Sequence, residues 1–226
     1  MRIREVREKL ERDGPPWARD DNDFRTVALP AHDCDLLRDL LITERAATVV
    51  EIGLAYGGSA LAIGEALVAV GSERPRHVIV DPFQDTAFSD VGWEQLRSAG
   101  LDTVAELVRD WSSIVLPRLV TDGFVADAAF VDGSHRYHEV FVDLYFLRKL
   151  VRPGGLVVLD DNWAPSVRTA ARYFERNLGW TTVSDAFAGG SRQHVGNDPT
   201  AELVPRCVAY RIPEPVEPPF EDFHPF

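Results

Sequence analysis

The chain has 226 residues, 45% of them hydrophobic, enough for a well-packed core of the size at which α/β folds occur. Its 36 acidic residues outnumber 24 basic ones, a formal net charge of -12. That balance excludes a general nucleic-acid or anionic-membrane surface, which needs clustered Lys and Arg, but leaves room for a small anionic ligand in one local site.

The N-terminal stretch MRIREVREKL reads as a charged helix near 2–12, without the apolar segment of a signal peptide. A Pro/Asp-rich connector leads to a second helix near 32–45. Short β-rich runs then alternate with helical patterns. Strands are predicted at 48–52 (TVVEI), 77–81 (HVIVD), 103–108 (TVAELV), 125–131 (VADAAFV) and 155–160 (GLVVLD). Helices are predicted near 58–70, 91–99, 112–120, 137–150 and 165–177. Apolar strands separated by helices indicate a doubly wound, mostly parallel α/β sheet. Residues 180–185 and 204–211 are predicted to add an antiparallel hairpin across a Gly-rich polar loop. The stretch IPEPVEPPFEDFHPF is too rich in proline for regular structure. The expectation is one domain over 1–226: an N-terminal helical cap at 1–45, a core at 46–212 and a Pro-rich tail at 213–226. The only cysteines, Cys34 and Cys207, match no metal-knuckle or disulfide spacing and point to a reducing compartment. No apolar run approaches the roughly 20 residues of a membrane span. A cytoplasmic protein is expected, with no nucleic-acid or membrane partner; a homo-oligomer is left open.

In an open parallel sheet, ligands bind outside the carboxyl ends of the strands. Here those ends read Glu51-Ile52-Gly53, Asp81-Pro82, Asp110-Trp111, Asp132-Gly133 and Asp160-Asp161. One such acid is explained by a helix cap. A row of them points to a ligand with hydroxyls, an amino group or a cation. The first turn, EIGLAYGGSALAIG, sets Gly53, Gly57 and Gly58 between strand and helix, with Tyr56 in the turn and Ser59 opening the helix. Glycines leave room for a ligand against the main chain, and the helix N-terminus offers N–H donors to an anion. The spacing is not that of the dinucleotide fingerprint. Asp81, ending the second strand, is placed to chelate the two hydroxyls of a ribose. Turn and acid together imply a nucleoside-like ligand, with a base near Asp110, Trp111 and Ser112.

The segments EIGLAYGGSA, VDPFQ and FVDGSHRYHEVFVDLYFLRKLVRPGGLVVLDDNW resemble the class I S-adenosylmethionine-dependent methyltransferases. More narrowly, they are similar to the metal-dependent O-methyltransferase branch with the catechol, caffeoyl-CoA, macrolide-sugar and aminocoumarin-sugar enzymes. The resemblance spans about residues 45–180. It implies a seven-stranded sheet with a C-terminal antiparallel hairpin, S-adenosylmethionine as methyl donor and a small-molecule phenol or sugar as acceptor. It also implies a divalent cation, usually magnesium, on Asp132, Asp160 and Asp161. In an alternative register, that of the catechol enzyme, Asp161 and Asn162 are the ligands and Asp160 lies elsewhere. Carboxylate oxygens suit Mg²⁺, and the cation would offset the repulsion between Asp160 and Asp161. His135 stands where catechol and caffeoyl enzymes carry a lysine, so it is the candidate general base beside Asp132. Its alternative role is to hold the loop by a hydrogen bond. Arg136, Tyr137 and His138 are further candidates for the acceptor side, while Asp143 and Arg148 read as solvated or helix-packing charges. Phe83, Phe88 and Trp93 are candidates for an acceptor wall or a lid, or equally for ordinary helix packing. Two other classes stay open: a nucleotide-cofactor oxidoreductase on the same sheet, and a non-catalytic cofactor-binding relative.

Overall fold

The computed structural model describes residues 2–15, 21–214 and 217–226, so residues 16–20 of the expected connector and 215–216 of the expected tail lie outside the described residues. The residues fall into two compact units, 1–111 and 112–226.

The first unit opens with three helices, α1 (Arg2–Asp13), α2 (Asp21–Val27) and α3 (Ala31–Thr43). The second of these is not expected from the Pro/Asp-rich composition. Three strands follow, β1 (Thr48–Ile52), β2 (Arg76–Val80) and β3 (Ala105–Val108), with α4 (Gly58–Val70) and α5 (Val91–Ala99) between them. β3 starts later than predicted because Leu101–Thr103 form a short 3₁₀ turn. All three strands are parallel, with Ile52 level with Val80 and Val80 level with Val108. This register sets Gly53, Asp81 and the Arg109-Asp110 step at one edge. Val49, Val50, Ile79, Leu61, Ile63 and Leu67 are fully buried, which is why β1 and the first half of α4 read as near-continuous apolar runs.

The second unit contains α6 (Ser112–Thr121), β4 (Ala126–Val131), α7 (Tyr137–Leu150), β5 (Val151–Leu159) and α8 (Pro165–Leu178). They are followed by β6 (Thr181–Thr182), β7 (Arg192–His194), β8 (Leu203–Pro205) and β9 (Val208–Arg211). The units supply three and four strands of a seven-stranded, mostly parallel sheet, ordered β3-β2-β1 in the first and β4-β5-β9-β6 in the second. β4 and β5 are parallel with Val131 level with Leu159, whereas β9 runs antiparallel with Val208 level with Leu159.

The expected hairpin is present in part, since β6 pairs antiparallel with β9. The predicted strand 204–211 is divided, however: β8 ends at Pro205 and pairs with β7 in a separate two-stranded sheet. Proline cannot donate to a ladder, which suits the end of such a strand. Division there leaves Arg206 and Cys207 outside both sheets, where β5 ends and β9 begins. Among the described residues no helix is long and apolar enough to cross a membrane.

Of the two readings for Asp143 on α7, the structure has the packed one: its side chain is buried rather than solvated. Burial pushes its carboxyl up to about 7, against a hydrogen bond from Ser112, and the nearby Glu139 adds to the rise. The folded chain therefore holds a proton that the unfolded chain releases near pH 4, and stability falls as pH rises from about 4 to about 7. Asp143→Asn keeps an acceptor for Ser112 and never ionises. Its stability relative to the parent, measured by urea unfolding, is expected to rise by a few kcal/mol between pH 4.5 and pH 8, because each pH unit crossed in that window costs the parent about 1.4 kcal/mol. A gap that does not change with pH would contradict this.

Candidate active site

The glycine-rich turn of the first unit is shaped by its backbone. Gly53, Ala55 and Gly57 take positive φ values of 92°, 43° and 87°, conformations that favour glycine at the first and third positions. The buried Asp81 carboxylate fastens the turn. Its Oδ2 accepts the N–H groups of Leu54 (3.0 Å) and Ala55 (3.2 Å) and the Gln84 amide (3.0 Å), while Oδ1 accepts the N–H of Phe83 (2.8 Å). The same Gln84 amide donates to the carbonyl of Ala55 at 2.8 Å. Gly92 completes the support: a Cβ there would stand 2.4 Å from the Ala55 carbonyl oxygen. Gln84 and Gly92 carry no local sequence signal of this role. The turn hands over to α4, which carries no side-chain cap, so its first N–H groups are available to an anion.

Glu51 and Ser59 face each other beneath the turn. The Ser59 hydroxyl donates to Glu51 Oε1 at 2.5 Å, and Glu51 Oε2 lies 2.8 Å from His77 Nε2, the Glu51 and His77 side chains being wholly buried. That second contact has hydrogen-bond length but not hydrogen-bond alignment, so it is read as close electrostatic pairing. Glu51 and Ser59 thus brace the turn from below. Tyr56 is buried edge-on between Phe24 and Phe88, with centroid distances of 5.5 and 5.3 Å. Phe88 thus has the packing role among its alternatives, around the turn.

At the strand ends of the same unit, Phe83 and Trp111 meet edge to face at 5.3 Å, each 45% exposed. Asp110 accepts the N–H of Trp111 at 2.8 Å. An exposed aromatic pair of this kind presents a stacking surface to a planar base. Helices α1–α3 and the start of α4 enclose a cavity of about 600 Å³, whose wall includes Phe24, Leu29, Cys34 and Gly58. Arg7 borders it, tied to Asp35 at 2.8 Å and to Glu65.

The second unit gathers the other candidates. Oxygens of Asp132, Asp160 and Asp161 lie within 4.8 Å of one another. Level pairing of Val131 with Leu159 brings the first two together, and Asp161, with φ 53°, turns the chain away from β5. Each member of the adjacent pair has its own partners. Asp160 is held by Arg206, whose Nε donates to Oδ1 (2.9 Å) and Oδ2 (3.1 Å) and whose Nη2 donates to Oδ2 (2.8 Å). The Cys207 thiol also donates to Oδ1, at 3.2 Å. Burial pushes the Asp160 carboxyl up and the guanidinium pulls against it. Burial likewise lowers Arg206, but Asp160 and Asp161 outweigh it and hold the guanidinium above its ordinary range.

Asp161 is held differently. Its Oδ2 lies 2.5 Å from His135 Nε2, and its Oδ1 accepts the Trp163 indole N–H at 2.7 Å. Burial pushes the Asp161 carboxyl up, but His135 first, with Arg206 and Trp163, brings it below the usual carboxylate range. The hydrogen bond to Asp161 raises His135 above the ordinary imidazole value, against partial burial. His135 is half exposed and stands edge-on to Trp163 at 5.5 Å. Asn162, the alternative ligand, donates its side-chain amide to the Pro205 carbonyl at 3.0 Å. Ser112, expected near a base, has its hydroxyl on Asp143. His138 is exposed, and Arg136 pairs with Glu139 at 3.2 Å.

A methyltransferase-domain family model matches residues 50–162, half of the chain, from the middle of β1 through the paired acids. The chain belongs to this methyltransferase family. Membership removes the oxidoreductase alternative. A search of curated protein sequences finds no significant match. The fold is shared with several solved O-methyltransferases. TomG of Streptomyces achromogenes, involved in tomaymycin synthesis and solved with S-adenosylmethionine, is 19% identical with a TM-score of 0.65, over 93% of this chain and 89% of that one. An O-methyltransferase from Bacillus cereus, solved with S-adenosylhomocysteine, is 16% identical with a TM-score of 0.62, over 92% and 90%. A putative O-methyltransferase from Klebsiella pneumoniae is 18% identical with a TM-score of 0.62, over 93% and 89%.

Asp81 gathers four donors on one carboxylate, so Asp81→Asn, which replaces an acceptor oxygen by a donor amide, faces the Leu54 and Ala55 N–H groups with the wrong polarity. The expected loss of stability is roughly 1.5–3 kcal/mol, the scale for hydrogen bonds to a charged group. An unchanged urea midpoint would show that the turn does not depend on this carboxylate.

Proposed function

We propose that the methyl donor of this methyltransferase is S-adenosylmethionine and that the acceptor is a hydroxyl of a small molecule, a phenol or a sugar. The observation that carries the reading is the pinned turn. Left-handed backbone at Gly53, Ala55 and Gly57, fixed by Asp81, leads into an uncapped helix. The donor fits these residues. In this reading the N–H groups at the start of α4 hold its carboxylate, and Asp81 Oδ1, with the single Phe83 N–H on it, takes the ribose hydroxyls. Phe83 and Trp111 stack on the adenine, beside Asp110. Gly53 and Gly57 leave the main chain open to it, and Glu51, Tyr56 and Ser59 keep the turn in shape. When bound, the donor supplies an electrophilic methyl group and leaves as a neutral thioether.

His135 has the role of general base. Its Nε2 is committed to Asp161, which fixes the tautomer with a proton on Nε2 and leaves Nδ1 to accept the proton of the acceptor hydroxyl. Asp161 is thus a positioning residue for the imidazole. The magnesium ion implied by the resemblance is a poorer fit. Carboxylates are the right donor type, but both oxygens of Asp160 already serve Arg206.

Calorimetry with S-adenosylhomocysteine tests the donor site, with saturable 1:1 binding expected. Trp111→Ala is expected to weaken it by roughly ten- to a hundred-fold, as loss of base stacking costs about 1–3 kcal/mol. Affinity equal to the parent would put the adenine elsewhere. His135→Gln keeps a hydrogen bond to Asp161 but cannot take the proton. Against a panel of phenols and sugars, it is expected to lower kcat by roughly 10²–10⁴ with donor affinity unchanged. Retention of most of the rate would make His135 structural.

A further inference from the structure

We infer that Arg206 is the built-in counterion of Asp160 and occupies the electrostatic place of a divalent cation in this cluster, whose carboxylates then serve to position His135. The inference deepens the reading of this site as a methyltransferase centre and departs from the metal site that the sequence resemblance implies.

The first observation is donor count. Every oxygen of the adjacent pair already carries a donor: Arg206 Nε and the Cys207 thiol on Asp160 Oδ1, and Arg206 Nε and Nη2 on Asp160 Oδ2. Trp163 Nε1 serves Asp161 Oδ1, and His135 Nε2 serves Asp161 Oδ2. A hard cation takes carboxylate lone pairs directly, and those of Asp160 are all engaged, two contacts on each oxygen. Binding one on Asp160 would strip Arg206 or Cys207 from an oxygen that already accepts two contacts. It would also set two positive charges against a guanidinium that lies 3.8 Å from Asp161 as well.

The second observation is independent of the side-chain contacts. The backbone of Arg206 is tied on both sides, so the guanidinium is not a loose arm that a cation displaces at little cost. Its N–H donates to the Ser191 carbonyl at 2.9 Å, and its own carbonyl accepts the Asn162 N–H at 2.9 Å. The Asn162 side-chain amide secures the preceding carbonyl, that of Pro205. The arginine side chain is 11% exposed and the Asp160 side chain fully buried. Division of the predicted strand at Pro205 and the antiparallel entry of β9 put Arg206 at this spot. The amide N–H of Asn162, the other candidate ligand, thus fixes the carbonyl next to the arginine.

The test is cation binding by the full-length protein after treatment with EDTA, read by calorimetry and by the shift of Tm with Mg²⁺ and with Mn²⁺. The parent is expected to show no saturable binding and no cation-dependent Tm shift at millimolar concentrations. Arg206→Gln frees the Asp160 carboxylate, and is expected to bind Mn²⁺ at least about ten-fold more tightly than the parent, with a Tm rise that EDTA reverses. Saturable binding by the parent that Asp160→Asn abolishes would overturn the inference. So would an Arg206→Gln protein that folds and binds no cation better than the parent. If Arg206→Gln does not fold, the parent decides with Asp132→Asn as its control: binding lost in that variant overturns the inference, and absence of binding upholds it. S-adenosylhomocysteine titrated into the same samples separates the two readings. A parent that binds both nucleoside and cation sinks only the role of Arg206. A parent that binds neither upholds Arg206 while removing the proposed methyl donor.

Discussion

A carboxylate buried where a strand ends must be met by donors at once, because an unpaired charge away from water is among the costliest things a fold can contain. This chain ends strand after strand that way, and each buried acid has a different solution. Asp81 uses backbone N–H groups and Gln84. Glu51 uses Ser59 and lies against His77. Asp160 uses Arg206, and Asp161 uses His135 and Trp163. These pairings hold the turn open, aim the imidazole and separate two adjacent negative charges.

The solutions follow from strand direction. In the first unit, parallel pairing lines up the carboxyl ends, so an acid after β2 reaches the amides of the turn after β1. Only an antiparallel neighbour brings an amino end to that edge, and β9 is such a neighbour of β5. The residues just before β9, Arg206 and Cys207, therefore meet Asp160, which ends β5. A purely parallel sheet would offer no strand entry there, and Asp160 would need its donors from elsewhere. The antiparallel strand and the inferred role of Arg206 are in this sense one feature.

Much of this was legible in the sequence. The apolar runs TVVEI and GLVVLD are strands, and Gly53 and Gly57 have the positive φ their spacing suggests. The trio Asp132, Asp160 and Asp161 does converge. What stayed hidden were partners distant along the chain: Arg206 is 46 residues from Asp160, and no local pattern links them. A β-rich run, VPRCVAYR, conceals a break at Pro205 that only the two sheets reveal. Asp143 lies on a helix with acidic and basic neighbours, so its sequence context reads equally as solvated or packed, and only the fold shows the side chain buried. Phe83 reads equally as acceptor wall, lid or helix packing because an aromatic residue in a sequence carries no directional information; its contact with Trp111 emerges only from the fold.

The central claim is that the turn fixed by Asp81 is the seat of the methyl donor. Hydrogen–deuterium exchange with and without saturating S-adenosylhomocysteine tests it most directly, since turn amides exchange through local opening that a bound ligand suppresses. Slowed exchange is expected in peptides covering 53–60 and 81–84, with a smaller effect at 109–112. Saturable binding that leaves 53–60 unprotected while slowing exchange elsewhere would contradict it.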